Sequence, residues 1–262
     1  MPHKMEQKLP ISVFIIARDE EDRIVRAINS VRDWVDEIIV VDSGSIDNTV
    51  KVSEDLGAKV IAKDWPGYGP QKRFAEEQCR HKWVLNLDAD EEISPALSAE
   101  IRELFQTQPP VTTAYKLKIQ DVYPHQTEPG MFPYTYRVVR LYNLDQGRYS
   151  DSPIHDRVVF NKPTDYVTLK GRVNHYSIRS LSQMISKINR YTDLQADVYT
   201  SGGRKVSGLR LVYEYPFSFF KAYIVRGHIL RGLYGLVLAN HYAYTRFMRI
   251  AKMWEKQLGK KR

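Results

Sequence analysis

The sequence predicts an α/β protein with a mostly parallel sheet flanked by helices and a C-terminal helical extension. Three observations predict this fold class. Short apolar or β-branched runs alternate with segments of helical periodicity through the first hundred residues. These runs are nearly continuous in apolar residues, as in strands of parallel sheets that are buried on both faces. In the C-terminal segment, apolar, aromatic and basic residues recur at helical spacing.

The first hundred residues contain four predicted strands, at 11–17, 37–41, 59–62 and 83–87. Helical patterns lie between and after them, at 22–32, 49–56, 71–79 and 95–106. The last of these helices begins after Ser94, a residue type that caps helix N-termini, and has proline at its first position. Right-handed crossovers are expected to connect the parallel strands.

The middle of the chain is predicted to add strands at 114–120, 136–142 and 157–160, with a loop rich in proline, glycine and tyrosine at 121–133. A further helix is predicted at 181–200 and ends at a serine and two glycines. We therefore predict a first domain over residues 1–200, with halves at about 9–110 and 111–200. A helical extension over residues 201–262 follows it.

Composition places the chain among globular proteins, because 43% of its residues are apolar and 27% are charged. Disordered, collagen-like and coiled-coil proteins are excluded. A single cysteine, Cys79, excludes a disulfide framework and a cysteine-rich zinc site, and it fits a reducing compartment. No secretory signal or run of about 18 uncharged apolar residues is visible. We expect a cytoplasmic chain that is soluble or lies on a membrane without spanning it.

The net charge of +8 is unevenly distributed along the chain. Residues 201–262 contain 13 lysines and arginines against two acids, Glu214 and Glu255, which leaves +11. Residues 1–200 contain 26 lysines and arginines against 29 acids, which leaves −3. A basic extension on a mildly acidic body predicts an anionic partner for the extension: nucleic acid, a membrane surface or a phosphorylated lipid.

A carboxylate follows each of the first four predicted strands. These residues are Asp19 with Glu20, Asp42, Asp64, and Asp88 with Asp90. Since the carboxyl ends of parallel strands meet at one edge, where open α/β sheets bind their ligands, we expect these side chains to lie together. For a single acid such as Asp42, the alternative is that it only caps the loop or helix that follows.

The segment Asp88-Ala89-Asp90 directly follows the apolar run WVLNL. Two carboxylates that leave a rigid strand suit a hard divalent ion beside a phosphate, and oxygen ligands favour Mn²⁺ or Mg²⁺ over zinc. Neither G-x-G-x-x-G after the first strand nor G-x-x-x-x-G-K-[ST] is present. The sequence thus argues against a dinucleotide-binding dehydrogenase and a P-loop NTPase.

Several segments together resemble a known family. They are ISVFIIARDEEDRI, EIIVVDSGSIDNTV and GYGPQKRFAEEQCRHKWVLNLDADEE, followed by RLYN, SPIHDRV and GRVNHYS. In this order and spacing they resemble family-2 glycosyltransferases, and among these the lipopolysaccharide inner-core β-1,4-glucosyltransferases. The resemblance implies a GT-A fold with a Rossmann-like sheet. It assigns the nucleotide-sugar to the half at about 9–110 and the acceptor to the half at about 111–200.

The resemblance also implies roles for individual residues. Asp90 would ligate Mn²⁺ or Mg²⁺ directly, and His175 would complete the metal or diphosphate contacts. Asp42 would hydrogen-bond uracil and ribose, and Lys72 would face the base or the phosphates. The nucleotide-sugar would be contacted by Ala17, Asp19, Glu20, Asp42, Lys72, Asp88 and Ala89.

The inverting chemistry that the resemblance implies requires a base to deprotonate the acceptor hydroxyl. Asp156 is the first candidate, although the resembling segments usually have glutamate there, and Asp121 is the reserve. The alternative for Asp156 is a loop salt bridge to Arg157 or Arg140. Arg140 and His155 are predicted to contact the acceptor.

The resemblance therefore implies an inverting, metal-dependent transferase that moves a hexose, glucose from UDP-glucose, to a heptose of the lipopolysaccharide inner core. Its implied partners are a UDP-sugar donor, a lipid-anchored saccharide acceptor and an anionic membrane surface. We expect it in the cytoplasm, peripheral to the inner membrane. No nucleic acid is expected, because the acidic sheet edge repels polyphosphate and no binding motif is present.

Two alternatives stay open at this point. One is a related transferase that moves another sugar to another bacterial glycolipid or capsule acceptor. The other is a non-enzymatic basic protein that binds a membrane or nucleic acid through its C-terminal extension, where arginines and aromatic residues are interspersed.

Overall fold

The computed structural model describes residues 8–106, 110, 112–152 and 156–259. The chain divides into two compact units. The first unit comprises Met1–Asp121 and Tyr134–Ser177, and the second comprises Val122–Pro133 and Ile178–Arg262. The helix predicted at 181–200 therefore lies in the second unit, together with the C-terminal helices.

The first unit consists of strands and four short helices. Its strands are β1 (Leu9–Ala17), β2 (Val35–Asp42), β3 (Lys59–Ala62), β4 (Trp83–Asn86), β5 (Glu91–Ile93), β6 (Ala114–Asp121), β7 (Thr135–Asn143), β8 (Gly147–Tyr149), β9 (Val158–Phe160) and β10 (Val167–His175). Its helices are α1 (Ile24–Asn29), α2 (Thr49–Asp55), α3 (Tyr68–Glu77) and α4 (Pro95–Leu104).

Within the described part of the chain, eight strands form one sheet in the order β3-β2-β1-β4-β7-β6-β10-β5. The first four are parallel, and β6 is parallel to β10. β7 is antiparallel to both its neighbours, and β5 is antiparallel to β10. Strands β8 and β9 form a separate antiparallel pair. The prediction of a mostly parallel α/β sheet flanked by helices is confirmed.

The core lies on both faces of the sheet, which explains why the strand sequences are continuously apolar. Val13 and Ile15 of β1 pack into one buried cluster, whereas Phe14 between them packs into another. Successive side chains of a strand point to opposite faces, so both faces of β1 are covered. Each of these three side chains is fully buried.

Three strands were not predicted from the sequence. β5 and β8 have three residues each, too few to show an alternating pattern. β10 has the sequence VTLKGRVNH, whose charged residues and glycine hide its periodicity. Gly171 in this strand has a packing role, because a Cβ there would lie 2.5 Å from the Cα of Leu97 in α4. Helix α4 can therefore lie directly on β10 only if residue 171 has no side chain.

The second unit contains the helices α5 (Leu181–Ser201), α6 (Gly208–Phe220) and α7 (Gly232–Gly259). A π-helical turn, Lys221–Val225, and a 3₁₀ turn, His228–Arg231, connect α6 to α7. α7 packs against both α5 and α6. The predicted C-terminal helical extension is confirmed. Among the helices of the described ranges, none combines the length and the apolarity needed to cross a bilayer.

A carboxylate on α3 lies inside the first unit. Glu76 is fully buried and accepts hydrogen bonds from the Tyr142 hydroxyl and from the backbone N–H of Tyr149. Burial raises the pKa of Glu76 to about 7, against the opposing effect of these hydrogen bonds. In the unfolded chain this group has its ordinary pKa near 4.5. Between these two values the folded protein holds a proton that the unfolded chain has released.

We therefore expect the free energy of unfolding to fall as the pH rises from about 4.5 to about 7, by roughly 2–4 kcal/mol from this group. Glu76→Gln keeps an acceptor for Tyr142 but cannot ionise, so this pH dependence should disappear from the variant. Urea denaturation of both proteins across this window measures the difference. An equally steep decline in Glu76→Gln would contradict the prediction.

Candidate active site

The carboxyl ends of the first four strands lie at one edge of the sheet, as predicted. Ala17 at the end of β1 is in register with Asp42 at the end of β2, and Asp42 with Ala62 of β3. β4 is parallel to β1 and leads directly to Asp88. The parallel order thus brings the loops that follow these strands together, and the candidate site is built from those loops.

Asp42 is bound by its own loop. Its Oδ2 accepts hydrogen bonds of 2.9 Å from the backbone N–H groups of Gly44 and Ser45, and its Oδ1 accepts one from the Ser45 hydroxyl. The side chain is almost fully buried. The capping alternative is therefore realised in the structure, and the contact of Asp42 with a nucleotide stays a prediction.

Asp19 and Glu20 hold the loop after β1. Asp19 has a positive φ of 54°, unusual for a residue with a side chain. Its Oδ1 accepts a hydrogen bond of 2.9 Å from the N–H of Ile46, and its own N–H donates to Ser45. Glu20 accepts two hydrogen bonds, of 2.6 and 2.7 Å, from the guanidinium of Arg23. These contacts tie the loops after β1 and β2 to each other.

Asp88 is paired with two buried cations. Its Oδ2 accepts a hydrogen bond of 2.6 Å from Arg140, and its Oδ1 lies 3.0 Å from the ammonium of Lys72. Burial raises the pKa of Asp88, but the charges of Arg140 and Lys72 outweigh this effect and hold the pKa well below its usual range. Asp88 is therefore ionised, and the ion pairs fix its orientation.

Arg140 is buried against this aspartate. Its side chain is 5% exposed and donates to Asn86, Asp88 and, at 2.8 Å, Glu91. The fully buried Glu91 also accepts the backbone N–H of Asp88. The contact of Arg140 with an acceptor stays a prediction. The guanidinium holds the aspartate segment from below.

Removing this guanidinium leaves the buried Glu91 without its cation and leaves Asp88 with Lys72 alone. We expect Arg140→Met to lower the free energy of unfolding by about 3–5 kcal/mol. Arg140→Lys should cost less, because it keeps the charge but not the forked geometry. Urea denaturation measures both effects, with Arg137→Met, an exposed arginine of the same strand, as the control. A loss under about 1 kcal/mol for Arg140→Met would contradict this role.

Asp90 faces a histidine and an arginine. Its Oδ1 lies 3.6 Å from Nε2 of His175, and its Oδ2 accepts a hydrogen bond of 3.2 Å from Arg23. On the other side of the ring, Nδ1 of His175 lies 2.8 Å from Oδ1 of Asp121. Burial raises the pKa of Asp90. The contacts with His175 and Arg23 outweigh burial, so the pKa lies below its usual value.

His175 is held in its charged form between two carboxylates. Burial lowers its pKa, but hydrogen bonds to Asp121 and Asp90 outweigh burial and raise the pKa to about 10. Since Asp121 occupies Nδ1, the ring can offer only Nε2, the nitrogen nearest Asp90, to another group. Asp121 therefore orients the histidine.

The donor set fits a divalent metal that takes part of its coordination from a ligand. Within the described ranges, no three histidine, cysteine, aspartate or glutamate side chains are grouped so that they could hold a metal ion. Asp90 and Nε2 of His175 supply one oxygen and one nitrogen side by side. A hard cation such as Mn²⁺ or Mg²⁺ would complete its shell with water and phosphate oxygens. Binding would replace the proton on Nε2.

Asp156 is joined to the same cluster through Lys72. The Lys72 ammonium lies 2.7 Å from Oδ2 of Asp156 and 3.0 Å from Oδ1 of Asp88. The partner of Asp156 is thus a lysine of α3 and not Arg157 or Arg140, the partners considered from the sequence. Lys72 is 4% exposed, and the charges of its partners outweigh burial, so its pKa is raised. His155 lies outside the described residues.

The remaining predicted residues are both buried: Ala17 is the last residue of β1, and Ala89 lies between β4 and β5. The structure adds residues that the sequence analysis missed. Arg23, with a side chain that is 9% exposed, joins Glu20 to Asp90 and also donates to the Tyr176 carbonyl. No local pattern distinguishes Arg23, in the turn before α1, from the other arginines of the first unit. Glu91 could have been found from the sequence, because it directly follows Asp88-Ala89-Asp90.

Comparisons with known proteins show the family of this chain. Residues 12–165, more than half of the chain, match the family described as Glycosyl transferase family 2. An "Uncharacterized glycosyltransferase" of Rickettsia felis is 42% identical and covers 96% of this chain and 92% of its own. LpsC of Rhizobium meliloti, a lipopolysaccharide core biosynthesis glycosyltransferase, is 30% identical and covers 98% of this chain and 97% of its own.

A solved structure of glucosyl-3-phosphoglycerate synthase from Mycobacterium tuberculosis, with Mn²⁺ and UDP, is 25% identical and covers 45% of each chain. Its TM-score of 0.35 is too low to assign a substrate or a metal. The match to the family, and relatives aligned over nearly their whole lengths, exclude the non-enzymatic alternative. The chain belongs to glycosyl transferase family 2 and is a glycosyltransferase.

Proposed function

We propose that this glycosyltransferase moves glucose from UDP-glucose to a heptose of a lipopolysaccharide inner core, with inversion at the anomeric carbon. The relationship to LpsC supports the class of acceptor. The arrangement that carries the proposal is the pair Asp90 and His175 beside Asp88, which Lys72 and Arg140 hold in place. It combines carboxylates, a histidine and fixed cations where α/β sheets bind their ligands.

Each side chain has a distinct part in the proposed reaction. Asp90 and His175 would hold Mn²⁺ or Mg²⁺, which when bound neutralises charge on a diphosphate. Asp121 orients the histidine ring. The Lys72 ammonium, buried and charged, would face the departing diphosphate, whose negative charge it stabilises in a site of low dielectric.

Asp156 is the proposed base. Its carboxylate shares the Lys72 ammonium with Asp88, so it lies a few ångströms from the proposed donor site. From there it would accept the proton of the attacking acceptor hydroxyl. Asp121, the reserve candidate, is engaged with His175 and suits an orienting role better than that of a base.

The donor is tested by thermal-shift measurements with a panel of nucleotide sugars, with and without Mn²⁺. A ligand that binds only the folded state raises the melting temperature in proportion to its affinity and concentration. We expect UDP-glucose with Mn²⁺ to give the largest shift among UDP-, GDP- and CMP-sugars. Incorporation of labelled glucose into heptose-terminated inner-core acceptors then tests the acceptor. Transfer to capsule saccharides but not to heptose would support the alternative transferase.

We also propose that the protein acts in the cytoplasm, peripheral to the inner membrane. The acceptor proposed above is lipid-anchored, so a transferase attached to the same surface meets it more often. The basic C-terminal residues 201–262 would supply the attraction to anionic lipid, at about 1 kcal/mol per basic residue near the surface.

A further inference from the structure

Helix α6 turns its apolar side toward solvent. Exposed large hydrophobic residues recur along it at intervals of three and four residues, which places them on one side of the helix. We call this set the outer face of α6: Leu209, Val212, Tyr213, Phe217 and Phe220. Their exposures range from 50% to 75%. In a helix that only packs on a core, such residues lie on the buried side.

The opposite side of α6 is buried and mostly polar, and Leu211 on it packs against an apolar cluster of the second unit. Glu214 and Ser218 are 3% and 2% exposed. Glu214 forms ion pairs of 2.8 Å with Arg210 and 3.0 Å with Arg246 of α7. Most of the apolar residues of α6 therefore face solvent, while ion pairs hold its buried side. The inner side gives no reason for the apolar outer residues, so these residues point to an apolar environment outside the protein.

The turn after α6 extends this surface and adds positive charge. Ile224, Val225 and Leu230 are exposed, and Leu233 at the start of α7 is 82% exposed. Lys221 and Arg226 are exposed among them. Glu214 is neutralised by its arginines, so the local charge that faces solvent is positive. Apolar residues flanked by basic ones are typical of segments that bind in the interfacial layer of a bilayer.

We propose that the outer face of α6 and the turn that follows it insert into the headgroup layer of an anionic phospholipid bilayer. The inference rests on the peripheral location proposed above and identifies the segment responsible. A second copy of this chain is a poorer occupant, because pairing two such surfaces would bring their basic residues together.

The test is flotation of the full chain with phosphatidylcholine vesicles that contain or lack phosphatidylglycerol. Wild type should float with the anionic vesicles, and less so at high salt. Val212→Ser combined with Phe217→Ser should weaken partitioning by about 10- to 100-fold. Lys221→Gln and Arg226→Gln should each weaken it by about fivefold at low salt. These residues are exposed, so circular dichroism and melting temperature should stay at wild-type values.

Val198→Ser is the matched control, because Val198 is a 66% exposed valine on α5, on a helix that carries Asp193 and Asp197. It should leave partitioning unchanged, whereas Val212→Ser alone should weaken partitioning by up to about 10-fold. Equal effects of Val198→Ser and Val212→Ser, or equal binding to neutral and anionic vesicles, would overturn the proposal. So would a concentration-dependent dimer that Val212→Ser dissociates. The vesicles contain no saccharide, so flotation measures membrane binding alone. The thermal shift with UDP-glucose is measured separately on the same variants. A failure of the proposed transfer reaction would therefore appear in the thermal shift and not in flotation.

Discussion

Asp90→Ala is expected to abolish transfer, with a loss of turnover of at least about 10⁴-fold. Asp90 is one of the two side chains that we propose as metal ligands. The other is His175, whose Nε2 lies 3.6 Å from Oδ1 of Asp90. A metal ion supplies several kcal/mol of charge stabilisation to a departing diphosphate, and each 1.4 kcal/mol is a factor of ten in rate. The variant also leaves Arg23 and His175 with one partner fewer.

Isothermal titration with UDP and Mn²⁺ measures the effect on binding separately from turnover. The variant should bind UDP weakly and with an affinity that no longer depends on Mn²⁺. Asp33→Ala, at an exposed aspartate in the turn before β2, is the control and should behave as wild type. Full metal-dependent affinity in Asp90→Ala would show that the metal lies elsewhere.

Asp156→Asn is expected to lower kcat by about 10²- to 10⁴-fold, the usual contribution of a general base. Binding of UDP-glucose should change little, because asparagine has the same shape and Lys72 keeps its ion pair with Asp88. Asp90→Ala loses charge stabilisation of the leaving group, whereas Asp156→Asn loses only proton transfer. Steady-state kinetics at saturating Mn²⁺, with titration calorimetry of UDP-glucose, measures both quantities.

The matched control for Asp156→Asn is Asp145→Asn, since Asp145 also pairs with a lysine, Lys82, at 2.6 Å, but on the surface. It should leave kcat unchanged. If Asp156→Asn keeps wild-type kcat, the Lys72–Asp156 contact is a structural ion pair, and Asp156 is not the base. Asp121→Asn distinguishes the role of Asp121 from that of Asp156. Because Asp121 orients His175, we expect this variant to weaken the dependence of UDP binding on Mn²⁺.

Much of the fold could be predicted because its signals are local. The strands β1 to β4 were located from apolar runs that lie between helical patterns, and β3 was predicted with its observed bounds, Lys59–Ala62. Helix α4 follows its Ser94 cap, whose hydroxyl accepts the N–H of Leu97. Helix α1 is shorter than its apolar periodicity predicted, spanning Ile24–Asn29. Apolar periodicity indicates which residues are buried, but not at which residue the backbone hydrogen bonds of the helix end.

The partners within the site could not be predicted in the same way. The acids after the parallel strands were identified, yet the cations that bind them come from the turn before α1, from α3 and from β7. Lys72 contacts Asp156, 84 positions later in the chain. Arg23 contacts Asp90, 67 positions later. No sequence spacing encodes such contacts, because they depend on how the layers of the sheet and helices pack.

The sequence by itself determined the class of fold, the edge of the sheet that carries the carboxylates, and the basic character of the last sixty residues. These follow from the order of residues along single strands and helices and from composition. Only the tertiary structure decided that Arg140 is buried, that His175 lies between Asp90 and Asp121, and that α6 turns its apolar side outward. Side chains from distant segments meet there, and whether a charge is buried, paired or exposed depends on packing and not on neighbours in the chain.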